Sequence, residues 1–137
     1  MWGEVGVVST IRQVEGARFM SDVINHDFQM AMFRFVGRAD PDLSLYRAFH
    51  SRYADTPSSN YTRYANADMD ALLERGRTTL EQSQRKEIYA QVAQLLGQDV
   101  PYLFLFDTTL QTMMRAGVEP GPNVPDGVLR LQDARVQ

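Results

Sequence analysis

The chain is 137 residues long, the size of one ordinary domain and too short for two full ones. Apolar residues make up 44% and charged residues 23%, which excludes a disordered or fibrous chain. A net charge of -3 argues against a nucleic-acid module, which carries a basic face, and the absence of cysteine excludes zinc ribbons, thiol catalysis and a disulfide framework. No stretch approaches the roughly 20 apolar residues that a membrane span needs. Residues 1–4 have neither the basic segment nor the apolar core of a secretory leader. Read as a whole protein that says cytoplasmic; read as a piece of a longer one it says nothing.

Residues 4–11 (EVGVVSTI) are rich in types that favour a pleated surface and read as a strand. Over residues 15–25, Phe19, Met20, Val23 and Ile24 fall at helical spacing, and Asn25-His26-Asp27 is a turn. Residues 28–36 (FQMAMFRFV), apolar on both faces apart from Gln29 and Arg34, read as a second, covered strand. Strand, helix and strand at this length predict a right-handed βαβ unit. A loop over 37–42 follows, in which Pro41 keeps Asp40 out of helical geometry, and 43–49 is a short helix. Residues 51–65 are polar, aromatic and turn-rich, as a surface loop is. Asn66 or Asp68 caps a helix carrying Met69, Leu72 and Leu73, with Gly76 near its end. A longer helix over 83–98 has Ile88, Val92, Leu95 and Leu96 as its stripe, and Asp99-Val100-Pro101 stops it. Residues 102–106 (YLFLF) form a fully apolar strand, 108–115 extend as strand, 119–127 are Pro- and Gly-rich loop, and 128–131 make a last short strand. The pattern belongs to the α/β class.

The chemistry is mostly negative. There is no Gly-rich phosphate loop, nucleophile elbow or HExxH motif. Asp40, Asp42 and Ser44 alternate as in a calcium loop, but Pro41 intrudes, and Leu45 and Ser51 stand where Gly and Glu are needed. His26, Asp27, Asp40 and His50 have no ligand spacing and read as turn histidines and capping or solvated aspartates. Asn60-Tyr61-Thr62 matches a glycosylation acceptor, a motif short enough to recur by chance, and reads as a structural loop. Phe33 and Phe49 read as core. Phe35 stands equally for core or pocket, because it lies at the carboxyl end of a strand, before the loop that holds Gly37, Arg38 and Asp40, where open α/β sheets collect ligands. Tyr46, Tyr53, Tyr61 and Tyr64 with Arg47, Arg52 and Arg63 give an aromatic, arginine-bearing loop face suited to contact with a ligand or partner, or to solvent.

The order of these pieces resembles the carboxyl-terminal part of bacterial extracellular solute-binding proteins of family 5, the dipeptide-, oligopeptide- and nickel-binding receptors of ABC importers. The resemblance runs through residues 2–8, Phe19, 26–33, Asp40-Pro41-Asp42, 45–51, an Asn and aromatic pair, 64–73, Arg85-Lys86-Glu87-Ile88-Tyr89 and 96–102. It implies one part of a periplasmic-binding-protein-type lobe, with a mixed, largely parallel sheet and flanking helices. Residues 1–107 are then a partial substrate-binding lobe, and 108–137 a tail crossing toward the partner lobe. The implied parent protein is periplasmic, with its signal peptide outside this stretch, and is no enzyme. It captures a small solute or peptide between two lobes and delivers it to an inner-membrane permease, without cofactor, metal or nucleic acid.

The same resemblance implies a ligand site at Phe35, Gly37, Arg38 and Asp40, with Tyr61 and Arg63 from the aromatic loop. Peptide-binding members carry an acid, which receives the peptide's amino group, where Arg38 stands. Arginine repels an ammonium and cannot accept a hydrogen bond, so an anionic, blocked or sugar-like solute fits better, unless Asp40 takes over as the acid. Two readings stand beside this one: a small hydrolase-like or metal-assisted enzyme using Asp40, Asp42 and His50, and an interaction domain using the tyrosine- and arginine-rich loop. Uncovered strands also predict a homodimer or exchanged assembly.

Overall fold

The helices of this chain begin where a side chain takes up backbone N–H groups that have no partner within the helix. A computed structural model describes residues 2–107, 109, 111–121 and 132–136. Its elements are α1 (Gly16–Ile24), α2 (Pro41–Phe49), α3 (Ala67–Thr78), α4 (Gln82–Asp99), β1 (Val118–Glu119) and β2 (Arg135–Val136), with 3-10 turns at Trp2–Val5 and Ser51–Tyr53. The Glu15 carboxylate accepts from the N–H groups of Ala17 and Arg18 at the start of α1. Asp40 accepts from the Asp42 N–H at the start of α2, where Pro41 occupies a first-turn position that needs no donor. Of the two cap candidates for α3, Asn66 takes the role, accepting from Asp68 and Met69. Glu81 accepts from the Gln84 N–H at the start of α4. That helix ends at Val100, whose left-handed φ of 46° turns the chain into Pro101.

Helices α2, α3 and α4 pack in chain order, α3 between its two neighbours. Their shared core is Tyr46, Ala48 and Phe49 from α2, Met69 and Leu73 from α3, and Val92 and Leu96 from α4. Tyr102 closes one end, its ring edge-on to Phe49 at 5.5 Å between centroids. Gly76 is buried in α3 because Tyr89 of α4 lies against it: a Cβ there would stand 2.9 Å from the Tyr89 ring. Outside this layer, α1 buries Val23 and Asp22, and the Asp22 carboxylate pairs with Arg12 at 3.1 Å and Arg18 at 2.6 Å.

The strands are where expectation and structure part. Residues 4–11, 28–36 and 102–106 hold no strand, and the expected βαβ unit and largely parallel sheet are not formed among the described residues. Among the described residues, regular structure is instead helix with one small two-stranded sheet, β1 antiparallel to β2, pairing Val118 with Val136 and Glu119 with Arg135. The physical reason is that strand propensity supplies no hydrogen bonds of its own. A strand exists only against a ladder partner, and no described segment offers one to these three. Many of their apolar side chains consequently stay in water, among them Val8, Ile11, Met30, Met32, Leu103 and Phe106, whereas Phe33 and Tyr102 are half-buried against each other. The expected extension over 108–115 has no regular structure at its described positions, and the strand expected over 128–131 lies outside the described residues.

Candidate functional site

The loop between residue 35 and α2 is held at its far end. The Arg38 backbone N–H donates to Ser44 Oγ at 2.7 Å, tying the loop to the first turn of α2. Phe35 is 41% exposed, and Gly37 has open space around it. The Arg38 side chain forms no ion pair with another described residue. Asp40 is differently placed. Besides capping α2, its carboxylate accepts from Arg85 Nη2 at 2.5 Å, and that hydrogen bond, followed by the one from the Asp42 N–H, holds its carboxyl below the usual range. An incoming ammonium at Asp40 therefore has to compete with a guanidinium already in place. Asp40 lies on a groove of about 890 Å3 between the starts of α2 and α4, walled also by Ser83, Arg85, Lys86 and Tyr89.

Tyr61 and Arg63 stand elsewhere. With His26, Phe28, Gln29 and Thr62 they wall a second pocket of about 320 Å3. The two members of the expected site taken from the aromatic loop are thus brought together with each other and with the His26 turn. They do not share a pocket wall with Asp40, and Phe35, Gly37 and Arg38 are on neither wall. Asn60 explains why this loop is fixed. It is wholly buried, its amide donating to the carbonyls of His50 and Tyr64 while its Oδ1 accepts from the Tyr64 N–H. The glycosylation pattern at Asn60 is therefore structural, since the nitrogen that would carry a glycan is hydrogen-bonded twice.

A polar cluster that the sequence did not single out lies where α2 meets α3. His50 Nδ1 accepts the Arg52 N–H at 3.2 Å and lies 3.4 Å from Asp70 Oδ1, and its Nε2 lies 3.3 Å from Glu74 Oε1. The Tyr46 hydroxyl also donates to Glu74, and both contacts lower the Glu74 carboxyl, Tyr46 more. Burial, then Glu74, pushes the Tyr46 hydroxyl up. Ser51 donates to Asp70 through its backbone and its hydroxyl, and the Arg77 guanidinium lies 3.4 Å from the Tyr46 ring centre while pairing with Asp42. The legible signal was spacing: Tyr46 and His50, like Asp70 and Glu74, are four apart and share a helix face.

These contacts bear on the enzyme reading. Asp40 is engaged by Arg85, Asp42 by Arg77 and His50 by Glu74, so the three residues do not converge. The Ser51 hydroxyl donates to Asp70 and not to His50, so these two residues form no Ser–His pair. Among the described residues no three His, Asp or Glu side chains gather as a metal site. His26 lies against Tyr61, and the Asp27 carboxylate is exposed.

No family model matches the chain, and no solved structure matches it. Curated relatives do match, and they are peptide-binding proteins: the family 5 resemblance read from the motifs is borne out by them. The dipeptide-binding protein of Escherichia coli K12 is 24% identical over 119 residues, 86% of this chain. The probable D,D-dipeptide-binding periplasmic protein of the same strain is 26% identical over 117 residues, 85% of the chain. A di/tripeptide-binding protein of Pseudomonas aeruginosa UCBPP-PA14 is 23% identical over 136 residues, 98% of the chain. The chain spans only 22–25% of the length of these relatives.

Proposed function

We propose that this chain is part of the solute-binding component of an ABC importer. In this reading the whole protein is periplasmic, is not an enzyme, and closes two lobes around a peptide-like or anionic solute before presenting it to an inner-membrane permease. The observation that carries it is similarity to three peptide-binding proteins along 85–98% of the chain. Residues 1–107 then belong to one lobe and 108–137 run toward the other. The segments 4–11, 28–36 and 102–106 become strands of a mixed, largely parallel sheet once the rest of the lobe supplies their ladders. Alone, such edges favour pairing between copies.

Binding energy in such a receptor goes into the closed state, because the solute touches both lobes only there. Phe35 offers a ring to stack on the solute, Gly37 keeps the approach open, and Arg38 pairs with an acidic or oxygen-rich group. A charge-assisted contact of this kind contributes about 1.5–3 kcal/mol. Arg38→Ala in the complete receptor therefore weakens binding roughly ten- to a hundred-fold. Calorimetry of wild type and variant against a free dipeptide and its N-acetylated form tests this. The expected preference is for the acetylated form, lost with Arg38→Ala. Equal affinities of wild type and variant for both ligands remove Arg38 from the site.

A further inference from the structure

We infer that Arg47 and Arg52, stacked on the ring of Tyr53, form a docking surface for an acidic segment of a partner protein, each guanidinium taking one of its carboxylates. This goes beyond the receptor reading, and none of the three residues belongs to the proposed solute site.

The surface is built by the turn that follows α2. Arg47 stands in the last turn of that helix, and the 3-10 turn Ser51–Tyr53 carries Arg52 and Tyr53. Tyr53 is fixed from three directions. Its N–H donates to the His50 carbonyl at 3.1 Å, its carbonyl accepts from the Ser58 hydroxyl at 3.0 Å, and its ring lies edge-on to Tyr46, 6.1 Å between centroids. Arg47 and Arg52 both lie over this one ring, 5.7 and 5.5 Å from its centre, and both are exposed. A guanidinium stacked on a fixed ring is already oriented, so less freedom is lost when it pairs.

The molecule itself shows what such a stack takes. Arg77 lies on the Tyr46 ring and pairs with Asp42 at 3.0 Å. Arg85 lies over the Tyr89 ring and pairs with Asp40 at 2.5 Å. In both, the ring holds the guanidinium and a carboxylate uses its donors. The Tyr53 stack has the ring and two guanidiniums, yet neither forms an ion pair with another described residue. Arg52 reaches the Tyr46 hydroxyl, whose own proton goes to Glu74, so that carboxylate bears on Arg52 without pairing with it. Two cations gathered on one ring repel each other, and carboxylates from another molecule offset that repulsion. Tyrosine and arginine are also the types that anchor protein interfaces. The partner these features fit is a protein surface with two neighbouring Asp or Glu side chains.

Hexaglutamate blocked at both ends is the probe, with blocked hexaglutamine as its uncharged counterpart. Titration of the chain is followed by the Nε resonances of Arg47 and Arg52 and by the Tyr53 ring resonances. Hexaglutamate is expected to shift all of them saturably, with a Kd below about 1 mM, and hexaglutamine to bind at least ten-fold more weakly. Replacing both arginines by glutamine is expected to weaken binding at least ten-fold, read on the Tyr53 ring. Replacing both by lysine, which keeps the charge and loses the planar fork, is expected to do the same. Arg34→Gln removes an exposed arginine that lies on no described ring, and is expected to change nothing. Resonances that do not move at about 10 mM hexaglutamate, or that respond equally to hexaglutamine, overturn the proposal on wild type alone. Full affinity in the lysine pair, or an equal loss with Arg34→Gln, overturns it as diffuse attraction between charges. Capture of the chain by phosphatidylglycerol vesicles, in the absence of any response to hexaglutamate, overturns it in favour of a membrane surface.

Discussion

Two regions of this molecule both carry apolar side chains and end in opposite states. Between residues 40 and 102, Met69, Leu73 and Val92 are fully buried and the helix starts are capped. In 4–11, 28–36 and 102–106, the side chains of Val8, Ile11, Met32 and Leu105 lie in water. The difference is where each element finds its hydrogen bonds. A helix closes its own and needs a neighbour only for one stripe; a strand closes none, and needs a neighbour before it exists.

The sharpest way to break this contrast is to cut the same kind of group from each region. Leu73→Ala removes a buried side chain from the helical core and is expected to cost about 2–5 kcal/mol in urea unfolding. Ile11→Ala removes an exposed one and is expected to stay within about 0.5 kcal/mol. Comparable losses would mean that residue 11 is covered in solution. Asn60→Ala comes next. It strips two donors and an acceptor from a wholly buried position, and is expected to cost about 1–3 kcal/mol while releasing the 60–64 loop to proteolysis.

The smallest effect belongs to Asp40 and Arg85. Because the Asp40 carboxyl titrates below its unfolded value, the pair stabilises the fold above about pH 4 and that contribution is lost as pH falls through the folded value. Asp40→Asn keeps a capping side chain and removes the charge. With the carboxylate 45% exposed, the loss at neutral pH is expected to be a few tenths of a kcal/mol to about 1, vanishing in acid. A difference that grows on acidification would mean the pair opposes folding.

Helices were legible because their signals are local. The stripe Ile88, Val92, Leu95, Leu96 and the stop at Val100-Pro101 place α4 within a residue or two, and Met69 with Leu73 finds the buried face of α3. The apolar runs at 28–36 and 102–106 were legible as strand-forming, but pairing is a property of two segments and no run announces its partner. The candidate site divides the same way. Tyr61 and Arg63 line one pocket, and another of its walls comes from the end of α1, 35 residues before Tyr61. Glu74 and Asp70 were invisible as partners of His50 and Ser51 because their contacts cross from α3 to α2.

The claim that the uncovered runs are strands awaiting ladders is tested most directly by amide hydrogen exchange, on this chain alone and on a protein of its relatives' length that contains it. The account predicts strong protection of α3 and α4 in both. For 28–36 and 102–106 it predicts protection only in the longer protein, rising by several orders of magnitude as ladder bonds form. Equal protection of those segments in the two, at either the high or the low extreme, would contradict it.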